Sequence, residues 1–557
     1  MAEVDLYSRS PESIKDPPKT FGETLKYLGP GLILVGSIVG SGELVMTTKL
    51  GAKAGFTMMW FVILSCIIKV VVQVELVRHV ISSGQTILEI GNRFPGPSWR
   101  RPAWFTLDWL VWFIILLYAG ITVYMRRVRH FKLLHDSENE VAGVVHPGEL
   151  TSDTIYLVAF GVLMISMIAC ILKAILSKKQ KGEAREDLAR PRINWFFWIW
   201  ILCQIGMFIN GGAILGGAGQ SLELAFPFLS ATSWSVIVGL VSAVLLVGGG
   251  YTFLERISLA MVSLFTAISV VCAVILQWTE FRVSGSQIFS GMTFSLPPGE
   301  SLTTPMILVI LAVYAATGIG HWEMLSYTYW CIEKGYARFT GECTTKGEEG
   351  DAWVERAQGW VRVMYIDALL TMVVYTLSTI CFYLLGAAIL YAKQLDPAAS
   401  DTLKILQSLY TDSLGDWAAW LFIIGAFFVL FSTTISSTAS ASRILSDALT
   451  VLGFLDRYDS KARMRAIRIC IVVSLAMNAY AYFIFKDPPL MLMLSGLIAI
   501  FMYPTMGIGT IYLRYRGVDE RIRPGGVITS LLWISGGALA IISPVLGIWV
   551  LILKMKG

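Results

Sequence analysis

Gly-X-Gly interrupts two otherwise apolar stretches of this 557-residue chain, and a carboxylate follows each interruption. In GLILVGSIVGSGELVM the interruption is Gly40-Ser41-Gly42, with Glu43 next. In MILVILAVYAATGIGHWEML it is Gly318-Ile319-Gly320, with His321, Trp322 and Glu323 next. A helix inside a lipid bilayer must satisfy every backbone N–H and C=O internally, because lipid offers no partner. Glycines that break such a helix are tolerable only where the freed backbone faces protein or water. Two breaks in corresponding positions of two halves point to a transporter binding site. The competing explanation is that these glycines only let helices pack closely. An acid at membrane depth directly behind each break favours the binding-site explanation.

The elements that must position these residues are membrane helices. Hydrophobic residues make up 55% of the chain, charged residues 15%, and mean hydropathy is +0.66; soluble chains carry about 25% charged residues. The net charge of +5 comes from loops and does not suggest a nucleic-acid partner. No nucleophile–base motif or P-loop appears, so no enzymatic activity and no cofactor is expected. The eight cysteines, including Cys66, Cys170, Cys203 and Cys343, form no Cys-x-x-Cys pair and read as small buried apolar residues. Thirteen apolar runs are long enough to span a bilayer: Leu25–Ala52, Phe56–Val80, Phe105–Met125, Thr154–Leu176, Trp195–Gly219, Ser233–Tyr251, Ile257–Trp278, Thr304–Cys331, Trp360–Ala392, Trp417–Val451, Ala466–Phe485, Pro488–Leu513 and Val527–Leu553.

Lys and Arg cluster between residues 178 and 192, after Val451, and from Arg514 to Arg523. By the positive-inside rule these loops are cytoplasmic. The expected arrangement is a multi-pass protein of the plasma (inner) membrane with its N-terminus inside and its C-terminus outside. Arg126, Arg127, Arg129 and Lys132 run against that assignment. Residues 1–20 are polar, have no apolar signal region and read as a cytoplasmic tail. Residues 21–104 then hold core helices 1 and 2, 105–192 an inserted helix pair with a basic loop, 193–280 core helices 3–5, 300–515 core helices 6–10, and 526–557 a final helix.

These residues carry a resemblance. Gly29-Pro30 followed by an apolar stretch and a four-residue break resembles the first helix of the NRAMP family of proton-coupled divalent-metal transporters. Gln73, Arg78 and Gly84 match the family's second helix. Ser432-Thr433-Thr434-Ile435-Ser436-Ser437-Thr438 resembles its hydroxyl-rich eighth, and Leu494-Ser495 through Pro504 its tenth. The resemblance implies an all-α membrane protein with a LeuT-like fold: an inverted 5+5 helix repeat whose first and sixth core helices are broken. Phe105–Leu176 falls outside it, as a pair of spans that preserves the orientation of everything downstream.

The chemistry departs from the family at the metal site. The family's site resembles Asp-Pro-Gly-Asn on the first helix and Met-Pro-His on the sixth. Here the Asp position holds Gly40 and the Asn position Glu43. The Met position holds Ile319, the Pro position Gly320, and His321 is retained. The tenth helix's Gln falls on Gly496, and Gln204 and Gly211 stand where the third helix carries proton-relay acids. A transition-metal site needs thioether, imidazole or carboxylate donors at defined distances, so loss of transition-metal transport is expected.

The exchanges enlarge the cavity, into which the breaks would project Ser41, Glu43, His321, Trp322 and Glu323, with Gln204, Asn210 and Gln220 from the third helix. Carboxylate, amide and hydroxyl groups beside an aromatic suit a polar organic solute, and a sugar such as glucose is the best match. A carboxylate desolvated at membrane depth can carry a proton, so Glu43, or failing it Glu323, is the expected coupling group. Sodium at Ser432, Thr433 and Ser436 is the alternative. Other solute classes stay open. Mg2+ or another hard cation would use oxygen ligands, and an amino acid or organic anion would use the half-helix N–H groups. Structural roles compete as well: Glu43 could cap a half-helix, His321 bond a carbonyl, Trp322 pack between helices, and the hydroxyl run bond its own helix.

Overall fold

The computed structural model describes residues 7, 9, 11–40, 42–106, 190–296, 304–343, 347–395, 403–407, 411, 415–457, 459–499 and 501–556. Ser41 lies outside them, as do residues 107–189, which hold nearly all of the expected inserted pair and the Arg126–Lys132 cluster. By backbone contacts the chain divides into two units. The smaller comprises Gly96–Trp195 and Leu449–Tyr458. Its described residues include an antiparallel pair of short strands, β1 (Ser98–Arg100) and β2 (Arg192–Asn194), with Trp99 opposite Ile193.

The larger unit comprises Met1–Pro95, Phe196–Ala448 and Asp459–Gly557 and holds the helices that build the site. Core helix 1 is Pro30–Ile38 followed by a π-helical turn, Gly42–Thr47, and Thr48–Ala54. Core helix 2 is Met59–Ser83, helix 3 Trp195–Ala225, helix 4 Ala231–Gly248 and helix 5 Tyr251–Ile275. Core helix 6 is Thr304–Ala316 and His321–Lys334. Helix 7 is Gly347–Leu385, helix 8 Ala418–Val451, helix 9 Ser460–Phe485, and helix 10 Pro488–Ala499 with Met502–Arg516. A final helix, Gly526–Lys556, follows. Each apolar run expected outside the inserted pair coincides with one of these. Among the described residues, eight helices are long and apolar enough to cross a membrane, or ten if each bent pair counts as one span.

Local chemistry explains where the elements begin. Pro30 occupies the first helical position of core helix 1, where a missing N–H is harmless. The flanking N–H groups of Gly29 and Gly31 are accepted by the buried Asp367 carboxylate of helix 7, at 3.2 and 2.7 Å, and the Tyr327 hydroxyl donates to the same carboxylate at 2.8 Å. A negative group at this end complements the helix dipole.

One span has a bend that its apolar run does not announce, and one expectation needs correction. Within Pro488–Leu513, helix 10 bends by 41° between its halves. Pro504, in the first turn of the second half, cannot donate the N–H that a continuous helix requires. The cysteines are not uniformly buried: Cys66, Cys203, Cys272, Cys331 and Cys381 are, whereas Cys343 is exposed in the connection after core helix 6. Cys170 lies outside the described residues.

Candidate functional site

The breaks fall where the glycines put them. In core helix 1 the first half ends at Ile38 and the π-helical turn starts at Gly42, with a bend of 45°. π-Turns frequently mark functional sites. In core helix 6 regular structure stops at Ala316 and resumes at His321. Gly318 has φ +66, a left-handed conformation that costs any residue with a Cβ about 1–2 kcal/mol. The two breaks touch: a Cβ at position 42 would collide with the Ala316 carbonyl, so glycine is needed there for the approach.

Side chains replace the missing helical hydrogen bonds. Glu43 is fully buried and spans both breaks. Its Oε1 accepts the Gly318 N–H at 2.9 Å and its Oε2 accepts the Gly40 N–H at 3.3 Å. On the carbonyl side of the sixth-helix break, Lys69 from core helix 2 donates to the oxygens of Tyr314 and Thr317, the latter at 2.8 Å. The Tyr503 hydroxyl from helix 10 donates to the Ala315 oxygen at 2.8 Å. Thr47 and Thr317 join the two helices through their hydroxyls at 3.1 Å. The first-helix break has a neutral partner: Thr433 Oγ1 shares its proton between Val39 O at 3.2 Å and Val429 O of its own helix at 2.9 Å.

An open cavity of about 550 Å³, counting solvent at its mouth, lies between the breaks. His321, Trp322 and Glu323 all border it, together with Asn210, Thr433, Ser495 and Gly496. His321 and Glu323 would diverge along a regular helix. They reach one cavity because they occupy the first turn after the break. Glu323 lies in the first turn of that half-helix, a placement that suits the helix dipole.

The other expected residues lie elsewhere. Glu43 is engaged by backbone and is not part of the cavity lining. Gln204 and Gln220 are buried on core helix 3, also outside the lining. Of the alternative sodium residues, Ser432 donates to Val429 O within its own helix and Ser436 Oγ lies 3.3 Å from Ser258 Oγ; Thr433 alone of the three borders the cavity.

Sequence reasoning missed two residues of this region. Lys69 sits in a long apolar run, and an intramembrane charge was the available signal. Trp200, on core helix 3, packs against Trp322 with ring centroids 6.0 Å apart, while Trp322 contacts the His321 ring at 5.6 Å. No single-sequence signal separates Trp200 from the neighbouring tryptophans. Several polar atoms around these rings are buried without a protein partner: Trp200 Nε1, Trp322 Nε1, His321 Nε2 and both amide atoms of Gln204, one turn along from Trp200. Among the described residues, no three His, Cys, Asp or Glu side chains come together as a metal-ligand set. The site can present N–H donors, an amide, a carboxylate and aromatic faces to one small solute.

Comparison with known proteins bears on this geometry. A family model described as natural resistance-associated macrophage protein-like (Nramp) matches residues 143–552, a stretch that includes core helices 3–10 but begins after the Gly40–Glu43 break. No curated protein matches the chain in sequence. Among solved structures, the Eremococcus coleocola manganese transporter in complex with an aromatic bis-isothiourea substituted compound is similar with a TM-score of 0.57 at 12% identity, over 98% of this chain and 90% of that one. A mutant of the same transporter gives 0.56 at 12% identity, over 96% and 89%. At such identity the likeness carries the fold: this is a multi-pass integral membrane protein with the LeuT-like inverted repeat expected above.

Proposed function

Because the chain belongs to the natural resistance-associated macrophage protein-like family, we propose that it is a proton-coupled symporter that has exchanged the metal cargo for a neutral, hydroxyl-rich solute, a sugar such as glucose. That it is a secondary transporter of LeuT-like fold is the coarser statement on which this rests. The observation that supports a sugar is that His321 Nε2 and Trp322 Nε1, on residues bordering the cavity, are buried without a protein partner, with the unpartnered atoms of Trp200 and Gln204 outside the lining. Each buried donor or acceptor left unmade costs about 1–3 kcal/mol. A solute with several hydroxyls would satisfy them together, while the Trp322 face covers its apolar side. Donor chemistry argues against a soft metal, since Gly40, Ile319 and Gly496 offer no side-chain ligand.

Of the two carboxylates, Glu323 borders the cavity and Glu43 does not. In this reading Glu323 carries the coupling proton, and Glu43 holds the breaks in register. The cytoplasmic N-terminus and plasma-membrane setting follow the loop charges and belong to the same proposal.

A second reading has one observation in its favour, the family itself. A hard divalent cation could keep part of its water shell and take oxygens from Glu323, Asn210 and Ser495. The test is calorimetric binding and tracer uptake into proteoliposomes with hexoses, Mg2+, Mn2+ and amino acids. The sugar reading expects saturable hexose binding, weakened about 2- to 10-fold in Asn210→Leu, a neutral amide at the cavity, where 1.4 kcal/mol is tenfold. Trp322→Ala should weaken it too, and Glu323→Gln should abolish accumulation driven by a pH gradient while leaving exchange. A response to a divalent cation or an amino acid, with none to any hexose, transfers the assignment to that class. Uptake that follows a sodium gradient and ignores pH moves coupling to the hydroxyls around Thr433.

A further inference from the structure

Lys69 takes no part in the solute reading, yet it is a fully buried ammonium in the middle of a membrane helix. Such a charge is expensive, so its surroundings must compensate. They do so in a specific way. Its Nζ donates to the carbonyls of Tyr314 and Thr317. It lies 5.0 Å from the Tyr314 ring centroid and 5.6 Å from that of Tyr503. The carboxylates of Glu43 on core helix 1 and Glu323 on core helix 6 are within electrostatic range, as is the Cys66 thiol on its own helix.

These carbonyls are the C-terminal end of the half-helix Thr304–Ala316 and the first residue beyond it. A helix end of this kind has unsatisfied carbonyl oxygens and the negative pole of the helix dipole. In transporters with broken helices, half-helix C-terminal ends and unwound carbonyls are what coordinate a coupling cation. Two aromatic faces add a further attraction for a positive charge. Two carbonyl oxygens, a helix C-terminal end and two aromatic faces suited to a monovalent cation therefore meet at this break, and a side chain of the protein occupies them.

We propose that the Lys69 ammonium is a tethered replacement for a monovalent cation, and that the sixth-helix break is a cation site occupied by the chain itself. The wild-type break is then held together without Na+ or K+. Removing the ammonium while keeping the carbonyls exposes a site for Na+, K+ or NH4+.

The test needs no solute, so it fails or succeeds separately from the sugar reading. Thermal unfolding of the purified full-length protein in detergent is followed in choline, sodium, potassium and ammonium chloride at constant ionic strength. Wild type and Lys69→Arg should be indifferent to the cation. Lys69→Ala should unfold at lower temperature in choline and regain stability in a saturable way with at least one small cation. Lys69→Met, which fills the space without charge, should be destabilised and unresponsive. The proposal is overturned if Lys69→Ala is recovered folded and ignores every cation, or if wild type responds as strongly as Lys69→Ala. Should Lys69→Ala fail to fold in all four salts, the other pair decides. Arg near wild type with Met well below it supports a cation site; Met equal to wild type, or Arg as poor as Met, overturns it.

Discussion

The two breaks look alike in sequence but are held by different chemistry. The sixth-helix break is closed by groups from three other helices: an ammonium and a phenol take its carbonyls, and a carboxylate takes an N–H. The first-helix break is closed by that same carboxylate and by one neutral hydroxyl from helix 8, which is shared with its own helix. Charge therefore concentrates at the sixth-helix break, and Glu43 is the group common to both. Glycine pairs let a membrane helix open; what replaces the lost hydrogen bonds decides how firmly each opening is held.

Changes at single positions test this asymmetry. The largest effect should come from Glu43→Ala, which orphans the Gly40 and Gly318 N–H groups together; each buried donor left unmade costs about 1–3 kcal/mol, so about 2–6 kcal/mol for the two. Thermal unfolding in detergent should show a marked fall, and hydrogen exchange should accelerate at both breaks. Acceleration at one break alone would mean that Glu43 does not link them.

Gly318→Ala should come next, with about 1–2 kcal/mol of left-handed backbone strain, to which crowding against Cys66 adds. Gly318→Asn, which tolerates this conformation better, should recover part of the loss. Equal effects of Ala and Asn would indicate crowding, not backbone strain, as the cause.

The smallest effects separate the breaks most cleanly. Tyr503→Phe should destabilise by about 1 kcal/mol and speed exchange only around core helix 6. Thr433→Val should lose less, because its hydroxyl divides one proton between two carbonyls, and should act only at core helix 1. If both variants loosen both breaks, the openings move as one unit and the asymmetry is of composition, not mechanics.

Much of the architecture was legible because lipid imposes simple rules. Each apolar run outside the inserted pair corresponds to a helix, and both Gly-X-Gly segments mark interruptions, since a chain in lipid has few ways to leave a helix. The third bend, in helix 10, had its sign in Pro504 but was read through. One proline within an apolar run does not say whether a membrane helix kinks or continues, as neighbouring groups can make good the lost bond.

The site was legible in part. His321, Trp322 and Glu323 were placed at the cavity because they follow a break directly. Glu43 follows its break just as closely, yet its carboxylate points into the gap between two backbones 275 residues apart in sequence. That orientation depends on how closely core helices 1 and 6 approach, which Gly42 permits but does not announce. Trp200 owes its place to the contact of its ring with Trp322 of helix 6, Gln204 to standing one turn along from it on helix 3, and Lys69 to the position of helix 2 behind the sixth-helix break. Composition and local pattern determined that the chain crosses a membrane repeatedly, where two of its helices open, and which acids stand beside the openings. Only the tertiary structure decided which of those acids faces the cavity and which closes the backbone, because a side chain at a break can bond whatever the neighbouring helices bring within about 3 Å.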